Sequence, residues 1–433
     1  MNRYRGPVIP MTVVGALCAA ASPASAQETV ESLSKRVAEL EAKLPKESGG
    51  EAVKWSDLSS LGSRFKLYGY LRLDSMWDDS RPNNTQLPVY IRSEDPTAPA
   101  GFRAASNSSD LNIHPKLTRV GIDFTGPKVG GIGDPTLTGK LETDFYNATA
   151  TESREALRIR VAWLQLKWDS FSFYGGQMWD VISPLMPVVN PDMVSWGAGN
   201  LGDRRPQMRG EWVNAMGDSK LTLTGMLGAT GAIDAQDLDA NTYRDGDQSA
   251  QPTLQARVGW KTPVFDTKSN LELGAWVHHA NEETDKPIGT NRNFSSSAYG
   301  VDFQLPIYKD RVWVKGELWH GRNLDDVRGA VLQGINTAGD EIRSHGGWTE
   351  VGWKTGDRMS LHAGWSFDDP NNDDLIVSAS NAPRSRNTIA YAAAMFDFKP
   401  VYFGLHFLKW TTGYEGFKRG DDNRLQAFIQ YSF

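Results

Sequence analysis

Arginine is concentrated at neighbouring or alternate positions in three segments of the sequence. The six residues are Arg119, Arg158, Arg160, Arg204, Arg205 and Arg209. In an extended strand, alternate side chains point to the same face, so each segment can present its arginines together. A guanidinium group keeps its charge and donates paired hydrogen bonds to carboxylates and phosphates. The pattern therefore predicts an arginine ladder that attracts anionic solutes.

Charged residues near these arginines could moderate the ladder. They are Lys140, Glu142, Asp144, Asp180 and Asp192. In one interpretation the acids only temper a surplus of positive charge. In the other, the arginines neutralise these acids or hold subunits together, and no solute contacts them. The sequence leaves both open.

The sequence gives little support for a catalytic site or a metal-binding site. The seven histidines are scattered without metal-ligand spacing, and no nucleophile, base and acid stand in a recognisable pattern. The segment 237–248 begins like a calcium loop, but Thr242 replaces the turn glycine and Gln248 the closing glutamate. We expect a solvated loop there, no enzyme activity, and neither a metal nor a cofactor.

The elements that would position the arginines are strands. From residue 64 onward, apolar and polar residues alternate with a period of two in 16 segments. Connections after even-numbered segments are mostly short, whereas those after odd-numbered segments are mostly long and polar. This arrangement is typical of outer-membrane barrels. It predicts an all-β fold, a 16-stranded antiparallel transmembrane β-barrel over residues 64–433.

The alternation also predicts which side chains face the lumen. Val120 and Ile122 share one face, so Arg119 points to the other. On the fourth segment Arg158 and Arg160 oppose the apolar residues, but the apolar face shifts after Val161. The shift predicts either a β-bulge or burial of both faces.

The last segment, residues 424–433, alternates to its end, with Phe428 as an exception on the polar face. An open sheet would leave this strand as an exposed edge. In a closed barrel the last strand pairs with the first, so an aromatic end at Phe433 needs no polar tail.

The first 63 residues have a different character. Basic and apolar residues followed by Ala24-Ser25-Ala26 predict a secretory signal over residues 1–26. Apolar residues at heptad spacing predict a short coiled-coil helix over 27–45, and 46–63 reads as a linker. Cys18 lies in the signal, so disulfides are not expected. Without Arg3 and Arg5 the charge is 44 basic minus 52 acidic side chains, or −8, which gives no case for a nucleic-acid partner.

Several stretches together resemble the DcaP-like porins of Gram-negative bacteria, trimeric 16-stranded barrels preceded by a coiled coil. The stretches are "FKLYGYLRLDSMWDDSRPNN", "GKLETDFYN", "LRIRVAWLQLKWDSFSFYGGQMWDVISPL" and "GDRRPQMR", with the terminal Phe433. The resemblance implies a homotrimer in the outer-membrane lipid of the bacterial cell, with its helix in the periplasm, where peptidoglycan is a further candidate partner. It also implies passive uptake of small solutes, with a leaning toward anionic compounds such as dicarboxylates.

The connection at about 180–203 is rich in proline and apolar residues, which suits a loop folded inward against the barrel wall. In trimeric porins the loop after the fifth strand constricts the pore. Its candidate residues here are Trp179, Asp180, Asp192 and Trp196. The alternatives are an external cap or a subunit contact. A channel for sugars or other neutral nutrients is the alternative function, with Trp276, Trp313 and Trp319 as an aromatic track.

Overall fold

A computed structural model describes residues 57–60, 63–85, 88–104, 108–145, 156–189, 195–231, 237–239 and 241–433. The predicted signal, the coiled-coil segment 27–45, most of the linker and Asp192 lie outside these residues. No helix among the residues described is long and apolar enough to cross a membrane.

The regular secondary structure of the described residues consists almost entirely of strands. They are β1 (Asp57–Ser60), β2 (Ser63–Asp78), β3 (Asp110–His114), β4 (Arg119–Lys128), β5 (Thr136–Asp144), β6 (Arg158–Lys167), β7 (Phe171–Trp179), β8 (Arg204–Met216), β9 (Ser219–Gly228), β10 (Thr253–Pro263), β11 (Asn270–Ile288), β12 (Asn291–Tyr308), β13 (Val312–Arg322), β14 (Arg343–Lys354), β15 (Met359–Pro370), β16 (Arg384–Phe398), β17 (Val401–Tyr414) and β18 (Phe417–Ser432). Three single turns of 3₁₀ helix lie in the connections, at Asp247–Ser249, Asp325–Val327 and Asn372–Asp374.

Sixteen of these strands form one closed antiparallel ring. Each strand from β4 onward pairs with the next, and β18 pairs with β2 from Arg424↔Asp78 to Ser432↔Tyr70. Gly69 and Phe433 add two further main-chain hydrogen bonds, each of 3.1 Å. The predicted 16-stranded antiparallel barrel is therefore confirmed.

The two remaining strands are short and both pair with β2. β4 pairs with the first half of β2, from Arg64 to Tyr70. β3 pairs with the second half of β2, from Asp74 to Asp78. β1 forms a hairpin with the start of β2. This part of the predicted linker is therefore a strand, Asp57–Ser60, paired with β2. Four residues are too few to show an alternating pattern in the sequence.

The two faces of the strands follow the predicted alternation. On β18, Leu425 and Ile429 are exposed by 51% and 46%, whereas Arg424 and Gln426 are buried. Exposed aliphatic side chains at alternate positions suit a lipid-facing surface. The exception, Phe428, faces inward, with its ring 3.7 Å from the Arg72 guanidinium.

The interior is packed where long connections fold into it. Residues 88–91, 195–203 and 323–342 contact one another and the inner faces of β10 to β17. The connections after β11 and β17 are instead tight turns, at 289–290 and 415–416. They join long strands of 14 to 19 residues. The long-loop side of the barrel thus combines inward loops with tall hairpins.

Candidate functional site

The described parts of the connection between β7 and β8, residues 180–189 and 195–203, lie inside the barrel and are hydrogen-bonded to its wall. Leu185 donates its main-chain N–H to Glu317 over 2.7 Å, and Val188 does the same to Glu350 over 2.7 Å. Trp319 Nε1 donates to the Gly199 carbonyl over 2.7 Å. Main-chain groups inside a protein need partners, and carboxylates are strong acceptors for them.

Apolar contacts hold the same connection in place. Ile182 and Leu201 pack with Trp276 and Trp319 in one cluster. Trp196 is 3% exposed and lies near Trp179, with ring centroids 6.4 Å apart. These contacts account for an apolar composition that an exposed loop would not tolerate.

Arginines occupy the opposite wall, on β4 and β6. Arg158 makes a two-pronged contact with Asp144 at 2.9 and 2.8 Å. Arg160 reaches both Glu142 and Asp144 at 2.8 Å. Arg119 lies 3.5 Å from Glu142. Two of the acids predicted to moderate the ladder, Glu142 and Asp144, are therefore in direct contact with these arginines.

A β-bulge sets the phase of β6. Glu142 pairs with Val161 and Thr143 with Ile159, which leaves Arg160 as the extra residue. Ile159 before the bulge and Leu164 after it are both exposed, by 51% and 56%. Of the two explanations for the shifted apolar face, the bulge is the one found.

The arginines of β8 have three different environments. Arg205 is fully buried, with Asp180 at 2.7 Å and Asp326 at 2.8 Å. It clamps two connections inside the barrel, and they enclose its guanidinium group. Asp180, its partner, is 6% exposed and is occupied by the same clamp.

Arg204 and Arg209 stand differently. Arg204 lies over the Trp179 ring, 4.7 Å from its centroid, and shares Asp203 with Arg328. Arg209 donates to Gln207 over 2.9 Å and to the Trp179 carbonyl. Among the described residues, Arg209 has no carboxylate within ion-pair distance.

The balance of charge follows from these contacts. Among the described residues, Arg119, Arg158, Arg160, Arg204 and Arg328 form ion pairs with three carboxylates, Glu142, Asp144 and Asp203. Arg209 adds a guanidinium group that is held by neutral acceptors. In these contacts arginines outnumber carboxylates. Arg204 is within electrostatic range of Arg158 and Arg160, so β6 and β8 contribute to one positive region.

Two members of this region escaped the sequence analysis. Arg328 lies in the connection between β13 and β14, where no period predicts its direction. Arg72 lies on β2, on the predicted inner face, where it contacts Asp74 at 2.6 Å. The alternation of polar and apolar residues along β2 could have predicted that Arg72 points inward. The position of Arg328 is seen only in the folded structure, because it lies in a connection.

The tryptophans of the sugar alternative are mostly covered. Trp276 and Trp319 are 2% and 5% exposed, because the inward connection packs on them. Trp313 is half-buried on β13 and lies near His362 and Lys354. The three rings do not form an exposed track.

Comparisons with solved structures agree with this architecture. The outer membrane channel DcaP of Acinetobacter baumannii superimposes with a TM-score of 0.67 at 17% identity, over 87% of this chain and 99% of that one. The chain has the porin fold. An anion-selective porin from Comamonas acidovorans gives a TM-score of 0.51 at 11% identity, over 86% and 100% of the two chains. OmpF of Salmonella typhi, in complex with daunomycin, gives 0.52 at 12%, over 87% and 100%.

At these identities the porin fold is what the comparisons establish, and the resemblance to DcaP-like porins is confirmed at that level. No protein-family model matches the chain. A search of curated proteins also found no match.

Proposed function

We propose that this protein is an outer-membrane diffusion channel for small hydrophilic solutes, and that it favours anions such as dicarboxylates. The observation that carries the proposal is that arginines outnumber carboxylates in the contacts described above for the arginines of β4, β6 and β8. Fixed charges in a narrowed pore act over short and poorly screened distances, so their net sign selects permeant ions.

The inward connection would serve as the constriction. It takes up the lumen beside β13 to β16, which leaves solutes to pass along the arginines of β4, β6 and β8. Neighbouring guanidinium groups on two strands suit a solute with two carboxylates, because each carboxylate can accept a paired hydrogen bond. A homotrimer, with the segment 27–45 as a periplasmic coiled coil, is part of the same proposal.

Ion selectivity tests the proposal directly. The purified protein is placed in a planar bilayer under a KCl gradient, and the reversal potential is measured. We expect chloride preference in the wild type, and a marked shift toward cations in the triple variant Arg119→Gln, Arg158→Gln, Arg209→Gln. Arg343→Gln is the matched control, because Arg343 is exposed at the long-loop end and contacts Asp374.

The solute class needs a second readout. In liposome swelling, succinate should enter faster than glucose through the wild type, and this advantage should shrink in the triple variant. Cation preference of the wild type would overturn the anionic proposal. Faster entry of glucose in both proteins would favour the channel for neutral nutrients.

A further inference from the structure

The connection between β9 and β10 brings three aspartates together. One carboxylate oxygen from each of Asp237, Asp239 and Asp245 lies within 4.8 Å of the others. Calcium holds oxygen ligands at about 2.3–2.6 Å, so two ligands on opposite sides of one ion are about 5 Å apart. The spacing of the three oxygens fits a shared calcium ion.

An unmet acceptor inside the cluster is independent of this spacing. Asp245 is only 3% exposed, and its Oδ1 has no hydrogen-bond partner among the described residues. Asp239 also has a buried Oδ1 for which the described part of the chain provides no partner. Buried polar atoms without partners are uncommon in folded proteins and call for an explanation. Two such oxygens in one cluster point to a cation that both would bind.

The order of the residues also resembles the first nine positions of a calcium loop. Asp237, Asp239 and Asn241 stand at the first, third and fifth positions, where such loops carry oxygen ligands, and Asp245 stands at the ninth. Asp237 accepts the main-chain N–H groups of Asn241 and Thr242 over 2.9 and 2.8 Å.

Thr242 resolves the main objection from the sequence. It occupies the sixth position, which normally carries glycine because the chain turns sharply there. In the structure Thr242 has φ = 76°, in the left-handed region that glycine favours. The loop therefore makes the required turn without glycine.

The electrostatics favour an added positive charge. Asp245 is buried, and its carboxylate lies close to those of Asp237 and Asp239, so three like charges repel one another there. The one arginine in the loop, Arg244, contacts Asp247 instead of the cluster. A divalent cation would relieve both the repulsion and the cost of burial.

We propose that Asp237, Asp239 and Asp245 bind a calcium ion at the long-loop end of the barrel. Asp239 also accepts the Lys286 N–H over 2.6 Å, which connects the cluster to β11. The bound ion would thereby fasten this connection to the β11–β12 hairpin.

Calorimetry and luminescence test the site. The full-length protein, freed of metal in detergent with a chelator, is titrated with CaCl₂ and, separately, with MgCl₂. Terbium is a second probe, since Tyr243 lies in the loop and can sensitise its emission. We expect calcium binding that Asp245→Asn and Asp239→Asn each weaken by about tenfold or more, because both remove a charged ligand. Magnesium should bind more weakly.

Asp247→Asn is the matched control, since Asp247 lies in the same loop, is exposed and contacts Arg244. It should change calcium affinity by less than about twofold. Calcium should also slow tryptic cleavage after Arg244 in the wild type but not in Asp245→Asn. No calcium heat and no terbium emission in the wild type, or equal affinities in Asp245→Asn and Asp247→Asn, would overturn the proposal.

Discussion

At the scale of single residues, the arginines of β8 show that the same residue type on one strand can serve opposite purposes. Arg205 is enclosed between Asp180 and Asp326, whereas Arg209 is held by neutral groups. An enclosed pair is costly to break, since the remaining charges stay buried without compensation. A charge held by neutral acceptors is available to a passing ion.

This contrast gives a prediction for stability. Arg205→Gln should destabilise the barrel by about 3–5 kcal/mol, because two buried carboxylates lose their partner. Arg209→Gln should leave stability close to that of the wild type. The measurement is the temperature at which each protein loses its compact, unheated migration in detergent gels. Equal transition temperatures for Arg205→Gln and the wild type would show that the clamp contributes little.

The sequence predicted residue direction well where a regular strand determined it. Arg119 and Arg158 face inward as their apolar neighbours indicated, and Glu142 and Asp144 meet them. The enclosure of Arg205 could not be predicted, since its partner Asp326 comes from a connection 121 residues away. Such a contact depends on how loops meet inside the barrel, and no local period carries that information.

At the scale of elements, the inward connection between β7 and β8 depends on close backbone approach at Gly199. Its φ is +116°, and a Cβ built there would lie 2.3 Å from the Gly347 carbonyl oxygen and 2.8 Å from that of Phe367. Those atoms belong to β14 and β15 and cannot turn aside as a side chain can.

Gly199→Ala should therefore loosen this connection at a cost of about 1–3 kcal/mol. We expect larger fluctuations of the open-channel current, because the connection no longer rests firmly on the wall. Single-channel recording at fixed voltage measures this. Gly225→Ala is the control, since a Cβ there meets nothing within 4 Å. If the open-channel current of Gly199→Ala fluctuates no more than that of the wild type, the other contacts of this connection with the barrel wall are sufficient to hold it.

Elements were predictable to different degrees. Proline and apolar residues indicated the inward connection, but not that 88–91 and 323–342 would join it. The strand β3 was also missed, because its five residues lie within a stretch that was predicted to be a long connection, and so short a segment shows no clear period. The hydrophobic pattern of a segment predicts that its apolar residues are buried. It does not predict which distant segment covers them.

At the scale of the whole molecule, the ring depends on the pairing between β18 and β2. That seam has nine paired positions, from Arg424↔Asp78 to Ser432↔Tyr70. Opening it would expose two unpaired edges in lipid, where main-chain groups have no water to bind. The number of barrel strands, sixteen, was predictable because each strand repeats the same alternation of polar and apolar residues. This alternation does not indicate how many subunits assemble.

Removal of residues 425–433 should therefore abolish the folded, heat-modifiable form and, with it, the proposed trimer. Removal of 377–380 in a long connection should preserve both, since surface loops tolerate deletion. Unheated detergent gels with chemical cross-linking measure both properties. A truncated protein that still migrates as the wild type would contradict the importance of the seam.

The hairpin of β11 and β12 has a consequence for the height of the channel above the membrane. Its strands contain 19 and 18 residues. At about 3.3 Å per residue and a tilt near 45°, such a strand rises about 44 Å. The apolar band of a barrel is about 25 Å tall, so about 20 Å of sheet projects from the lipid. In the proposed outer-membrane setting, solutes and large molecules would meet this raised wall before they reach the channel entrance.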